Sequence, residues 1–273
     1  MEKVDAIFRR VAVALDASAQ SRQAMQVAAE LAACLRVDLE GIFVEDINLI
    51  HLAGLPFARE IRLATMTQET INLERMEQEL KSLARQEKLK LEQLAREKGI
   101  GCSFRTRRGQ VKTELMEAVA EVDVLTLCRP GQYMPEKLRQ RSTAHIPRAA
   151  AHPWPQARYR ISVLFGNRQN ETRTLQAAGS LADYLDVDID VLITADAAAG
   201  KDELQKQAEV ILEPQKQRVN YIRLPSDQVS DLVQATSSLN SQLLLVNSNN
   251  SLVTSGQLWQ CLEQMSFPVL LVR

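Results

Sequence analysis

The chain lacks most of the features that would assign a protein to a class at once. Its 273 residues carry 33 Lys and Arg against 34 Asp and Glu, so no overall charge draws it to nucleic acid or to a membrane surface. No stretch approaches the roughly 20 apolar residues of a membrane span, and the first ten residues lack the apolar core of a signal peptide. We therefore expect a cytoplasmic protein with no membrane span and no nucleic acid partner.

Motifs that carry chemistry are also scarce. The three histidines share no metal-ligand spacing, and no P-loop, dinucleotide fingerprint or nucleophile elbow occurs. We therefore expect no catalytic residues, no metal and no enzymatic activity. The cysteines lie far apart without a C-x-x-C pair, which predicts four buried thiols rather than a disulfide framework or a zinc site: Cys34, Cys102, Cys128 and Cys261.

What the chain does have is a repeat at a constant offset of 150 residues. The apolar residues 11–15 reappear as 161–165, and residues 35–39 reappear as 185–189. The residues between these anchors match with the three-and-four spacing of a helix face: Met25, Ala28, Leu31 and Ala32 with Leu175, Ala178, Leu181 and Ala182. A duplicated unit explains this pattern and predicts two domains, at residues 1–155 and 156–273.

Apolar strands alternate with amphipathic helices in both copies, which is typical of a parallel sheet covered on both faces. The second copy has five candidate strands. The first copy lacks an apolar last strand, because the basic stretch 129–160 stands in its place. We therefore expect the first sheet either to be completed by another element or to remain open at one edge.

The first copy also carries an insertion at about residues 46–98. Gly54 and Pro56 interrupt an apolar segment over 46–60, which predicts turns or short helices. Residues 67–98 are expected to form one long charged helix, either a crossover helix packed on its own sheet or a coiled-coil seam for a partner. The apolar residues of the segment predict a binding surface for the partner domain, for a second chain as in a homodimer, or for a protein ligand: Leu49, Ile50, Leu52, Leu55 and Phe57.

Four segments of the chain, residues 11–18, 28–33, 39–44 and 267–273, resemble the universal stress protein family. The resemblance implies an α/β protein of two tandem domains of the adenine-nucleotide hydrolase type. Each domain would be a mostly parallel open sheet flanked by helices. Members that bind ATP place an aspartate at the end of the first strand, near the adenine. Their phosphate loop after the fourth strand reads glycine, two residues, glycine, nine residues, glycine and a hydroxyl residue.

The resemblance assigns candidate ligand contacts to the first copy only. Asp16 stands at the aspartate position, and Gly131, Ser142 and Thr143 keep parts of the loop motif, whereas Cys128 and Arg141 replace two glycines. Their side chains would occupy the space that glycine leaves for phosphate. In the second copy Gly166 stands in place of the acid, and the loop after the fourth strand has no early glycine.

The stretch 129–160 has seven basic residues and one acidic residue, and two interpretations remain open for it. It is either a solvated linker or a surface that grips phosphates or an acidic partner, with Arg129 and Arg141 next to the presumed loop. Trp154 and Trp259 are expected to pack at a domain junction.

Two functions follow from this reading. The first is a non-catalytic, stress-associated regulator or adaptor without a cofactor, acting on a protein partner that the sequence does not identify. The second is an adenine-nucleotide binder that holds ATP in the first copy.

Overall fold

The computed structural model describes residues 8–16, 19–56, 59–62, 67–70, 73–129, 160–166, 171–194, 201–213, 219–226 and 228–273. The elements of the first half are β1 Arg10–Leu15, α1 Ala19–Leu35, β2 Asp38–Asp46, α2 Ile47–Ala53, β3 Arg59–Arg62, β4 Thr67–Thr70, α3 Leu73–Lys98, β5 Cys102–Gly109, α4 Val111–Glu121 and β6 Val124–Leu127. Those of the second half are β7 Arg160–Phe165, α5 Glu171–Leu185, β8 Asp188–Ile193, α6 Lys201–Leu212, β9 Val219–Arg223, α7 Val229–Ser238, β10 Leu243–Asn247, α8 Ser251–Thr254, α9 Leu258–Gln264 and β11 Val269–Val272.

The two halves share one sheet. Nine of the described strands form it, in the order β5-β2-β1-β6-β11-β10-β7-β8-β9. Every neighbouring pair is parallel except β6 and β11, which are antiparallel. The last strand of the second half therefore lies against the first half. This confirms the expectation that another element completes the first sheet, at the edge formed by β6.

The central strands are buried on both faces, and one layer of helices packs on each face of the sheet. Along β1, Val11, Val13 and Leu15 belong to the apolar layer that contains α1, α3, α5 and α6. Ala12 and Ala14 belong to the layer that contains α4, α7, α8 and α9. This alternation follows from the two-residue period of a strand, and it explains why nearly continuous apolar runs in the sequence mark the central strands.

A buried acid pairs with an arginine at equivalent positions of the two halves. In the second half Arg160 Nε lies 2.8 Å from Asp190 Oδ2, and the Asp190 side chain is fully buried. In the first half Arg10 Nη1 lies 3.5 Å from Glu40 Oε2. Arg160 follows Arg10 by 150 residues, and Asp190 follows Glu40 by 150 residues. The repeat therefore includes the side chains that neutralise a buried acid between the first two strands, as well as the apolar pattern.

The insertion corrects one prediction and confirms two others. The short helix α2 confirms the expected short helices, but the helix expected over residues 67–98 begins only at Leu73, since Thr67–Thr70 pairs with Arg59–Arg62 as an antiparallel hairpin. The β-branched Thr67 and Thr70 favour this extended backbone. Helix α3 is a crossover helix and not a coiled-coil seam, because its buried residues pack on its own half: Leu80, Ala84, Leu91 and Ala95.

A second contact between the halves surrounds Asp123, just before β6. Its Oδ2 accepts hydrogen bonds from the backbone N–H groups of Arg9 (2.8 Å) and Arg10 (3.1 Å). Its Oδ1 accepts one from Arg173 of the second half, at 3.3 Å, and the Arg173 guanidinium lies 5.3 Å from the centre of the Phe8 ring. The N-terminal strand and α5 are thereby fixed to the same carboxylate.

Within the described residues, no helix is long and apolar enough to cross a membrane. Trp259 is 8% exposed and lies in the apolar layer shared by both halves, which confirms its predicted place at a junction. Trp154 lies outside the described residues. The sequence did not predict the short helices α8 and α9.

The junction strand yields a direct test. A Leu270→Pro variant loses one backbone N–H in a fully buried central strand, so we expect the free energy of unfolding to fall by about 3 kcal/mol, as is typical of a proline that removes a backbone hydrogen bond. Urea denaturation followed by circular dichroism measures the change, and Leu270→Val, which keeps the N–H, is the control. An unchanged urea midpoint for Leu270→Pro would contradict the role given to β11.

Candidate functional site

A cavity of about 340 Å³ lies at the carboxyl ends of β1, β2 and β6 in the first half. This edge of a parallel sheet is where ligand sites form in α/β folds. Thirteen of the seventeen described lining residues are apolar, and the polar ones are Asp16, Asp46, Lys112 and Glu263. Cavities of this size and character are typical of sites for small molecules.

The cavity has room above the strand ends because one of the strand residues that line it has a small side chain. Ala14 of β1 lines it, beside Ile42 of β2 and Leu127 of β6. The equivalent residue of the second half is Leu164, 150 residues later, which is 1% exposed. Leu164 lines the corresponding space in the second half, whose volume is about 10 Å³. Among the described residues of the second half, this space is therefore too small for a ligand.

Two walls come from elements outside the repeated unit of the first half. The insertion supplies Leu49 of α2 with Leu80 and Leu83 of α3. The second half supplies Trp259 and Glu263 of α9. The ammonium group of Lys112, on α4, lies 5.7 Å from the centre of the Trp259 ring, a distance at which a cation is attracted to the ring face. The cavity is therefore built by both halves together.

The apolar residues of the insertion have different environments. Leu49 lines the cavity and Ile50 is buried at 9% exposure, whereas Leu52 and Leu55 are 47% and 39% exposed. Phe57 lies outside the described residues. The insertion thus supplies a wall of the cavity, and the predicted surface for a protein partner stays a prediction.

Of the two adjacent acids that end β2, only one faces the cavity. Asp46 lines it and also caps α2, with its Oδ1 accepting a hydrogen bond of 2.9 Å from the backbone N–H of Asn48. Glu45 is 7% exposed and binds Arg108 of β5 at 2.8 Å, and Arg108 also binds Glu77 of α3 at 3.0 Å. The hydrogen bond and charge of Glu45 raise the pKa of the Arg108 guanidinium. Glu45 therefore fixes α3 to the sheet rather than facing a ligand.

Cys128 lies at the end of β6 and lines the cavity. Burial raises the pKa of its thiol well above the ordinary range, and the nearby charge of Asp16 raises it further. Burial likewise raises the pKa of Cys34 and of Cys261 to about 11. The prediction of four buried cysteines is correct for Cys261 and wrong for Cys102, which is exposed; Cys34 and Cys128 are partly buried. The thiol of Cys128 is a protonated, apolar part of the wall at neutral pH.

A side chain at Gly166, the second-half position that corresponds to Asp16, would require its neighbours to move. A Cβ atom on Gly166 would lie 2.7 Å from Thr194 Oγ1, closer than side-chain atoms approach. The backbone N–H of Gly166 instead donates to the carboxylate of Glu171, which is 2% exposed at the start of α5. A carboxylate from the helix thus takes the space beside the strand end.

The structure places the predicted site residues unequally. Asp16 lines the cavity, and its backbone N–H donates to Ser21 Oγ at 3.3 Å. Arg129 is exposed directly after Cys128. Four of the predicted contacts lie outside the described residues: Gly131, Arg141, Ser142 and Thr143.

The sequence reading missed Ala14, Lys112 and the place of Trp259 in this site. The pairing of a small residue with a large one at Ala14 and Leu164 was the signal that could have identified the open half. Within the described residues, no group of three or more His, Cys, Asp or Glu side chains could hold a metal ion.

The fold of the chain is that of universal stress proteins. A universal stress protein from Archaeoglobus fulgidus superposes over 97% of this chain and 96% of its own length, with a TM-score of 0.57 and 10% identity. A Pseudomonas aeruginosa protein of unknown function covers 98% of this chain and 93% of its own, with a TM-score of 0.49 and 12% identity. A universal stress protein in complex with cAMP covers 42% of this chain and 96% of its own, with a TM-score of 0.37 and 15% identity. No family model and no curated protein matches the sequence.

The raised pKa of Cys128 predicts slow alkylation. Thiolates and not thiols react with iodoacetamide, so at pH 8 we expect Cys128 to be modified at least tenfold more slowly than free cysteine. An Asp16→Asn variant removes a negative charge that favours the protonated thiol, and its Cys128 is expected to react faster than in the unmodified chain. Peptide mapping by mass spectrometry measures both rates, with exposed Cys102 as the internal reference. A Cys128 that reacts as fast as free cysteine would refute this description of its surroundings.

Proposed function

We propose that this protein is a non-catalytic regulator that binds one small molecule in its first half. The observation that carries the proposal is the difference between two equivalent spaces, about 340 Å³ in the first half and about 10 Å³ in the second. A cavity retained in only one copy of a repeat points to a retained ligand. The second half then serves as a scaffold that completes the sheet and covers the site.

The regulatory part of the proposal is supported by the composition of the walls. A ligand in the cavity touches β1 and β6 of the first half and Trp259 of the second. A ligand that binds one arrangement of the halves better than another shifts the population toward it. Occupancy can thereby change the surface that the two halves present to a partner.

The proposal that the protein is not catalytic is supported by the protonation of Cys128 and by the contacts of Asp46 and Lys112. Cys128 is protonated at neutral pH because burial raises its pKa. Asp46 caps a helix, and Lys112 lies over an indole ring. A hydrolytic or transfer reaction would need an activated nucleophile with a base in hydrogen-bond reach, and these three groups serve other purposes.

Adenine-nucleotide binding is the second candidate, and the observation that favours it is the position of Asp16 at the end of β1 beside the cavity. The charge of the described lining opposes it. Asp16, Asp46 and Glu263 stand against the one cation Lys112, and a triphosphate close to these acids would be repelled.

A fragment screen tests the single site. Ligand-observed NMR with a library of small aromatic and aliphatic fragments should give hits on the unmodified chain. An Ala14→Leu variant, which reproduces the residue of the closed half, should lose them at least tenfold in affinity. Leu164→Val in the second half is the matched control and should keep them. Hits that survive Ala14→Leu, or no hits at all, would overturn the proposal.

Calorimetry with ATP tests the alternative. We expect weak binding at low salt that disappears as the salt concentration rises, because exposed charges are screened beyond about 10 Å at 0.1 M salt. Asp16→Ala should change this weak binding little. Tight binding that resists salt and is abolished by Asp16→Ala would establish the nucleotide function instead.

A further inference from the structure

We infer that the ligand of the first-half cavity is a compact, uncharged and mainly apolar molecule that packs against the Trp259 indole and so strengthens the junction between the halves. This inference rests on the proposed function and names the chemical class that the site accepts. Its basis is the chemistry of the floor, formed by β1 and β6, and of the two walls formed by α3 and α9.

The floor and the α3 wall select apolar surface. Ala14, Leu127 and the partly buried Cys128 lie at the strand ends, and Leu80 and Leu83 face them from α3. A charged group placed between these side chains would lose its hydration without gaining a partner, which is costly, whereas an apolar group would release water. The deep part of the cavity therefore excludes phosphates and carboxylates.

The mouth of the cavity holds the polar residues and does not favour an anion. The acids Asp16 and Glu263 are both exposed, and Lys112 is already placed over Trp259. Such a rim orients a neutral ligand through hydrogen bonds, as is usual for apolar sites with a few polar groups.

Trp259 links this site to the sheet junction. It belongs to α9, which leads directly into β11, and β11 pairs with β6 from Val269–Leu127 to Val272–Val124. A ligand held between Trp259 and the end of β6 therefore contacts both sides of the antiparallel junction. Binding should favour the docked arrangement of the two halves over any arrangement in which α9 moves away.

The test uses N-phenyl-1-naphthylamine, a neutral apolar dye that fluoresces strongly out of water. In a Trp154→Phe background Trp259 is the single tryptophan, since the chain has two. We expect saturable binding of one dye per chain, energy transfer from Trp259 to the dye, and a raised urea midpoint in the presence of dye. Millimolar ATP should not displace the dye.

Two filling variants and one control locate the dye. Ala14→Leu should weaken dye binding at least tenfold. Leu83→Phe, which narrows the cavity from α3, should have the same effect and replaces Ala14→Leu in the test if that variant fails to fold. Leu164→Val in the second half should leave dye binding unchanged. Dye binding that is insensitive to both filling variants, that gives no transfer from Trp259, or that ATP displaces would overturn the inference.

The dye experiment and the fragment screen separate the two proposals. Fragment hits that are charged and are lost in Ala14→Leu, together with no dye binding, would refute the apolar ligand class and leave the single-site function standing. If neither fragments nor dye bind at this cavity, the single-site function and the apolar ligand class are both refuted. Neutral fragment hits, together with dye binding that the filling variants weaken, support both proposals.

Discussion

The antiparallel pairing of β6 with β11 is the constraint on which the rest of this molecule depends. The first half has four strands of its own in the shared sheet, and without β11 the backbone groups of β6 would face an open edge. Exposed edges invite pairing with other chains. By supplying its last strand, the second half closes that edge and makes one continuous hydrogen-bonded sheet. The same contact places α9, and with it Trp259, above the strand ends of the first half.

The described parts of the two halves are alike between their first two strands and differ at the strand ends. In each half a buried acid pairs with an arginine of the first strand, Glu40 with Arg10 and Asp190 with Arg160, because a buried carboxylate without a partner is costly. In the second half Leu164 fills the floor and Glu171 occupies the space beside Gly166, so this half gains packing where the first half keeps a cavity.

The sequence predicted what is local or periodic and missed what is distant. The apolar run 11–15 is strand β1, and the helix face with Met25, Ala28 and Leu31 is the buried face of α1, because apolar residues recur there without interruption. The sequence analysis predicted helix at Thr67–Thr70, because these polar residues adjoin the charged helix α3 and show no alternating apolar pattern. Asp16 follows the first strand, and it lines the cavity because a strand end fixes its position; its role as a ligand contact stays a prediction. Trp259 was not assigned to that site, because tertiary packing of the second half, which no local pattern encodes, brings it there.

These features together argue that the second half is more than a degenerate copy. The second half has little space at the position that corresponds to the first-half cavity, yet it supplies a strand, a cation–π partner for Lys112 and an aromatic wall for that cavity. Because an element of the second half covers the apolar cavity, binding of the proposed ligand would be linked to the arrangement of the halves. That linkage would give the proposed regulator a physical means to act as a switch.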